Sequence, residues 1–231
     1  MGADLLANST TAQMPFGAFA ETFDGRGFRY CQVGAVSTVA GKVYQSSALD
    51  ATNLQPSGGI AVAAAAIGAT SVVISGVTIS AAAATSLAGG YLSVDVTPGQ
   101  GFLYRISSVG GTSNLTITLD DPLVVALTAS SKVILVPHAY NGVVVAPATA
   151  TGVIVGVAPS IITNANFGWM QTYGPASVFF TGAGVAGSAV GTLAGGTIGS
   201  AAPAIAGTNI MGWHMATGIT AEYAFIYLSI R

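Results

Sequence analysis

Between residues 133 and 221 the chain carries no Asp, Glu, Lys or Arg. Elements that face water normally carry charge on that side, so a run of this length narrows the available folds. Short strands with Ser, Thr and Gly outside satisfy it, and so does a surface covered by another protein. Within the run, Phe167-Gly168-Trp169-Met170-Gln171-Thr172-Tyr173 alternates and is followed by Gly174-Pro175. A period of two puts Phe167, Trp169, Gln171 and Tyr173 on one face of a strand, and Gly168, Met170 and Thr172 on the other. Aromatic residues at that period predict a strand, and Gly-Pro predicts its end.

Composition sharpens this. Charged residues make up 6% of the chain and hydrophobic residues 52%, with 31 Gly. No heptad or long 3.6-period stripe is present, which excludes an α-rich fold. A net charge of −2 with no basic cluster lacks the footprint of nucleic-acid binding. The single cysteine, Cys31, excludes an intrachain disulfide and a cysteine-rich zinc site, and is read as a buried structural thiol. Met1-Gly2-Ala3-Asp4 and Leu5-Leu6-Ala7 lack the basic and apolar regions of a signal peptide. Residues 58–92 are uncharged and long enough to raise a membrane span, but Gly68, Gly76 and Gly89-Gly90 interrupt them among several Ser and Thr. Strands and turns are expected there, and no membrane partner.

Along the chain, turn signals separate short strand candidates. Two strands are expected within residues 28–44. Others are expected at 61–66, 71–74, 77–80, 91–96, 102–107, 115–119 and 132–136. A further set follows at 143–145, 152–157, 167–173, 177–180 and 189–193. Helical turns are expected at 81–88 and 123–129. Two strands close the chain, at 210–216 with Met211, Trp213 and Met215 on one face, and at 222–230. In the last, Tyr223, Phe225 and Tyr227 oppose Ala224, Ile226 and Leu228. Both faces are rich, so burial on both sides, or by a partner, is expected. The fold class is therefore all-β, with β-sandwich or small-barrel modules, short strands and at most one or two short helices. The polar linker at 45–59 and the turn at Tyr140-Asn141-Gly142 divide the chain. Residues 1–55 with 140–231 make a core module with an N-terminal arm, and residues 56–139 make an inserted module.

Catalytic, cofactor-binding and metal sites are not expected. His138 and His214 lack ligand-spaced partners and read as imidazoles bonded to backbone. Asp120-Asp121-Pro122 reads as a turn or cap, because adjacent residues on a strand face apart. No nucleophile elbow, phosphate loop or dinucleotide fingerprint occurs in a credible context. The chain is not read as an enzyme.

Binding is the remaining class. Phe16, Phe23, Arg26, Phe28 and Arg29 interleave rings with guanidinium groups, a composition suited to an interface anchor. On the 167–173 strand, Phe167, Trp169, Gln171 and Tyr173 are expected at a subunit contact. Gln171 shares the aromatic face, and a buried amide needs polar partners.

The order of segments carries a resemblance. Asp24-Gly25-Arg26-Gly27-Phe28-Arg29-Tyr30 precedes Val39-Ala40-Gly41-Lys42-Val43-Tyr44-Gln45. Gly101-Phe102-Leu103-Tyr104-Arg105-Ile106 and Thr118-Leu119-Asp120-Asp121-Pro122-Leu123 follow. Then come Tyr140-Asn141-Gly142, Gly168-Trp169-Met170-Gln171-Thr172-Tyr173-Gly174-Pro175 and Ile210-Met211-Gly212-Trp213. This succession resembles virion structural proteins of tailed bacteriophages, in particular capsid decoration, or cement, proteins. The resemblance implies a non-catalytic viral structural protein, made in the host cytoplasm and located on the capsid surface of the virion. It implies the major capsid protein as partner, and a homotrimer. A head-fibre or tail-appendage protein binding host glycans is the alternative.

Overall fold

The computed structural model describes residues 4–148, 151–192, 198–204 and 210–230. The fold is all-β. First come β1 (Phe19–Glu21), β2 (Gly27–Gln32) and β3 (Val43–Gln45). Next are β4 (Ile60–Ala61), β5 (Ser71–Ser75), the helix α1 (Ala81–Ser86), β6 (Tyr91–Val96), β7 (Leu103–Gly110), β8 (Asn114–Leu119) and β9 (Lys132–Val136). Last are β10 (Val144–Val145), β11 (Ile154–Val157), β12 (Phe167–Phe180), β13 (Ala189–Thr192), β14 (Ala201–Pro203), β15 (Ile210–His214) and β16 (Glu222–Ser229). The chain divides into two compact units, Met1–Ser47 with Ala139–Arg231, and Ala48–His138.

The unit Ala48–His138 is a six-stranded sheet in the order β4-β9-β6-β7-β8-β5. A bridge between Val62 and Ile74, with Ala63 N–H donating to the Val73 carbonyl at 2.8 Å, joins the two edges and closes the sheet. Alternation decides what fills it. Val72, Ile74, Leu115, Ile117 and Leu119 are buried, while Ser71, Ser75 and Thr116 face out. An apolar inside and a polar outside reverse the pattern of a lipid-facing barrel. Ala-rich α1 begins at Ser80, whose hydroxyl accepts the Ala83 N–H at 3.1 Å, and presents Ala84 to the core just before the buried Leu87. Leu54 belongs to this unit rather than to the linker before it. It is buried in the core and accepts from Leu135 N–H at 3.0 Å. The strand expected at 77–80 is irregular chain that still buries Val77 and Ile79. The helical turn expected at 123–129 is also absent. There Leu127 bridges to Ala65, which uses the backbone for sheet-like pairing instead.

The other unit is organised around β12. Its first half pairs with β2 and β11, and its second half with β16 and β14. A ring of β2, β12, β11, β3 and β10 is closed by the parallel bridge Val33–Val143, where Gly34 N–H donates to Val143 at 2.8 Å. A second ring of β12, β14, β13, β15 and β16 closes through the β12–β16 ladder. One strand thus serves as a stave in both. Cys31, Val33, Tyr44, Val143, Val155 and Met170 fill the first ring. Val178, Phe180, Val190, Met211, Ile226 and Leu228 fill the second.

Two expectations fail in this unit for identifiable reasons. The strand does not stop at Gly174-Pro175. Gly174 takes φ +82, a conformation glycine adopts without steric cost. Ile230 N–H bonds to the Thr172 carbonyl and Ala221 N–H to the Phe180 carbonyl, both at 2.9 Å, so even-numbered backbone groups point to β16. The nitrogen of Pro175 therefore faces the other edge, where its missing N–H is not required by a ladder. The alternation expected in β15 is also broken. Val190 pairs with Gly212 but Gly191 with Ile210, leaving Met211 as a bulge. Met211 turns inward and is buried, while Trp213 and Met215 stay outside, and His214 goes in.

Candidate functional site

The N-terminal residues expected at an interface are largely committed within the chain. Phe16 is half-buried and stacks on Phe167 with ring centroids 6.2 Å apart. Phe28 is buried with Tyr30 and Trp169, and Leu5, Ala18, Ala20 and Phe167 pack against that cluster. Tyr30 and Trp169 meet edge to face at 5.1 Å. The segment before β1 is held there by Ser9 and Phe167, which exchange backbone bonds of 2.9 and 2.8 Å, and by Gln13 N–H on the Tyr30 hydroxyl at 2.9 Å. Trp169, expected to face another subunit, is only 6% exposed because this segment of its own chain covers it.

Arg29 donates to the Gly17 carbonyl at 2.9 Å and lies over the Phe19 ring. Arg26 pairs with Asp24 at 2.8 Å and lies over Phe28. A hydrogen bond from the Thr22 hydroxyl and the neighbouring Arg26 hold the Asp24 carboxyl below its ordinary range. Phe23, at the tip of the β1–β2 turn, is fully exposed. Gln171 is buried, with Nε2 donating to the carbonyls of Tyr173 at 3.1 Å and Pro175 at 2.7 Å. Its amide finds backbone acceptors beside the bulge between Gln171 and Tyr173. Tyr173 is half-buried and meets Tyr227 edge to face at 5.4 Å.

The open aromatic surface lies elsewhere, on the outside of the second ring. Trp213 pairs with Tyr227, which pairs with Pro175. Phe225 pairs with Ser177, and Tyr223 with Phe179. Tyr223, Phe225, Trp213 and Met215 expose 55%, 49%, 44% and 45% of their surface. The Tyr223 ring is fixed by an edge-to-face contact with Phe179 at 5.5 Å, and the Lys42 ammonium lies 5.8 Å from the Phe179 ring centre. The period-two run Tyr223, Phe225, Tyr227 was visible in the sequence. Trp213 joins that face through its register with Tyr227, a pairing that no local pattern announces.

Beside this face runs a groove of about 780 Å³. Asp24, Arg26, Tyr223 and Phe225 line it, together with Pro159, Pro175 and Ser177. It brings Arg26 and Gln171 together with the aromatic face, but not Phe16, Phe23, Phe28, Arg29 or Trp169.

Cys31 is buried and free, and burial pushes its thiol up to about 12. A thiol held neutral is neither nucleophile nor metal ligand. Among the described residues no three His, Cys, Asp or Glu side chains gather as a metal site. No helix among them is long and apolar enough to cross a membrane. His214 departs from the expected backbone-bonded imidazole, since neither ring nitrogen has a hydrogen-bond partner. Compared with known proteins, the chain matches no family model, no curated protein and no solved structure.

Proposed function

We propose that this chain is a non-catalytic structural protein of a tailed-phage virion that docks on the major capsid protein and decorates the shell. The observation that carries docking is the aromatic face. Trp213, Tyr223 and Phe225, each about half exposed, together present about 300 Å² of ring surface. A patch of about that size is comparable to the largest on an ordinary single chain, and such patches are often functional. The rings lie on hydrogen-bonded strands, so little order has to be gained on binding. The identity of the partner rests on the resemblance in sequence order, and so do the trimer and the location on the virion.

Particles from producing cells, purified by density gradient, test the reading. The protein should band with intact capsids. The double change Tyr223→Ser with Phe225→Ser should abolish its occupancy while leaving the β-type circular dichroism spectrum unchanged and Tm only slightly lower, since the Tyr223–Phe179 contact is lost. Absence of the protein from particles, or full occupancy by the double variant, overturns it.

The groove supports the glycan-binding alternative. Exposed rings beside a carboxylate and a guanidinium combine a stacking platform with hydrogen-bonding groups for hydroxyls. An oligosaccharide array read with wild type and Tyr223→Ala tests it. Uniformly blank arrays reject it.

A further inference from the structure

His214 is 3% exposed, and neither Nδ1 nor Nε2 has a hydrogen-bond partner. Buried polar groups are normally satisfied, so an imidazole left bare calls for a reason. Its ring meets Phe180 edge to face at 4.6 Å. On it rests a two-residue bridge. Gly184 and Gly218 exchange backbone hydrogen bonds of 3.0 and 3.1 Å. A Cβ at Gly184 would overlap Nε2, and one at Gly218 would lie 2.9 Å from Cε1. Only glycine lets both backbones lie flat against the ring. The backbone of His214 also anchors the first of these loops, donating to Ser188 at 2.9 Å and accepting from Gly187 at 2.8 Å.

No charged group answers the ring from the elements around it. Residues 182–188 and 216–220 contain no titratable side chain. From β12 comes Phe180, and just after it Thr181 has a hydroxyl oxygen that is itself buried without a partner. Beside it, β16 contributes Ile226, the register partner of His214, and Ala224, which packs within 3.3 Å of where a Gly218 Cβ would be. The titratable residue of β16 nearest this end is Glu222, which is exposed and pairs in register with Phe180.

We propose that neutral His214 is a latch, and that its protonation releases the Gly184–Gly218 bridge and opens residues 182–187 and 216–220 at one end of the second ring. A cation in this site has no counter-charge, and an isolated buried charge is far too costly to keep. Opening the glycine bridge lets water reach the ring. Burial holds the imidazole below its ordinary 6.5, opposed by the nearby Ala216 backbone, which does not complete a well-formed hydrogen bond. The sign follows. Above 6.5 the ring is neutral in both closed and open forms, and protons do not favour either. As pH falls below 6.5 the open form takes the proton first, so opening gains ground until the depressed closed-state value is passed and the effect levels off. Residues 216–220 join β15 to β16, the strands that carry Trp213, Tyr223 and Phe225. The latch thus borders the aromatic face, but it does not depend on what that face binds.

Hydrogen exchange of the full chain at neutral pH and at about pH 5, corrected for intrinsic rates, tests the latch. Peptides covering 182–187 and 216–220 should exchange about tenfold faster at the lower pH for each unit of pKa difference between the two forms. Peptides of β7 and β8 should not change. His214→Phe keeps an aromatic ring without a proton to gain and should lose the pH response. An equal response in that variant, or none in wild type, overturns the proposal. Should His214→Phe fail to fold, imidazole nitrogen shifts of the wild-type protein decide. A titration midpoint at or above 6.5 also overturns it.

Discussion

The side-chain amide of Gln171 donates to the main-chain carbonyl of Pro175 at 2.7 Å. The same Nε2 reaches the carbonyl of Tyr173 at 3.1 Å. These acceptors lie on a stretch of β12 where β11 has ended, at Gln171, and β14 has not begun, at Phe180. The amide stands in for a neighbouring strand, and Pro175 removes the donor that such a strand would seek. An open edge is thereby closed to stray pairing. Gln171→Ala should cost about 1–3 kcal/mol by stranding the two carbonyls. A lower urea midpoint at unchanged m-value is the expected reading.

Trp169 and Phe225 should respond oppositely to truncation. Trp169→Ala empties a site packed by Phe28 and Tyr30, and should lower stability by about 3–5 kcal/mol. Phe225→Ser, on the open face, should stay within about 0.5 kcal/mol of wild type. Urea unfolding of both variants checks the contrast. Comparable losses would mean that Phe225 is also part of the core.

Cys31 should be silent to thiol reagents in the folded protein. Its thiol is pushed up to about 12 by burial, so little thiolate exists at pH 8. Reaction with a disulfide reagent should begin only with unfolding, and its rate should track denaturant concentration. Fast modification of native protein would contradict the burial.

A fragment spanning Ala48–His138 should fold alone. All six strands of its closed sheet and a core from Leu54 to Leu135 lie within that segment. A β-type circular dichroism spectrum and one cooperative thermal transition are expected. Within the fragment, Ile117→Ala should cost about 2–5 kcal/mol, because Ile117 is fully buried.

Much of this architecture was legible because alternation and turn residues are local. The strands at 91–96 and 132–136 stand where period two and the flanking glycines and prolines put them. The helix at Ser80 follows from an Ala run behind a capping serine. What escaped was set by pairing. A Gly-Pro dipeptide reads as a stop, but at 174–175 the ladder needs no N–H on that side, and β12 continues. The Met211 bulge turns Met211 inward, off the face it would share with Trp213 and Met215, with no compositional mark. For the candidate site, the Tyr223, Phe225, Tyr227 period was readable. The cover over Trp169 was not, because it arrives from residues more than a hundred positions away. Residue 193, the end of the strand expected at 189–193, falls outside the described residues, as do 194–197 and 205–209.

The shared stave also sets an order of assembly. Along β12 the partners come from opposite regions of the chain, β2 before it and β16 after every other strand described. During synthesis from the N-terminus, β2 waits through the whole of Ala48–His138 for β12, and β12 then waits for β16. The Ala48–His138 barrel has all its strands early and can close first. The second ring stays unsealed, with Phe180 on its unfinished side, until β16 has emerged as far as Ser229. Ribosome-bound chains halted before Glu222 would therefore carry a second ring with one edge of β12 unpaired and its apolar interior open, so β16 is the step that seals it.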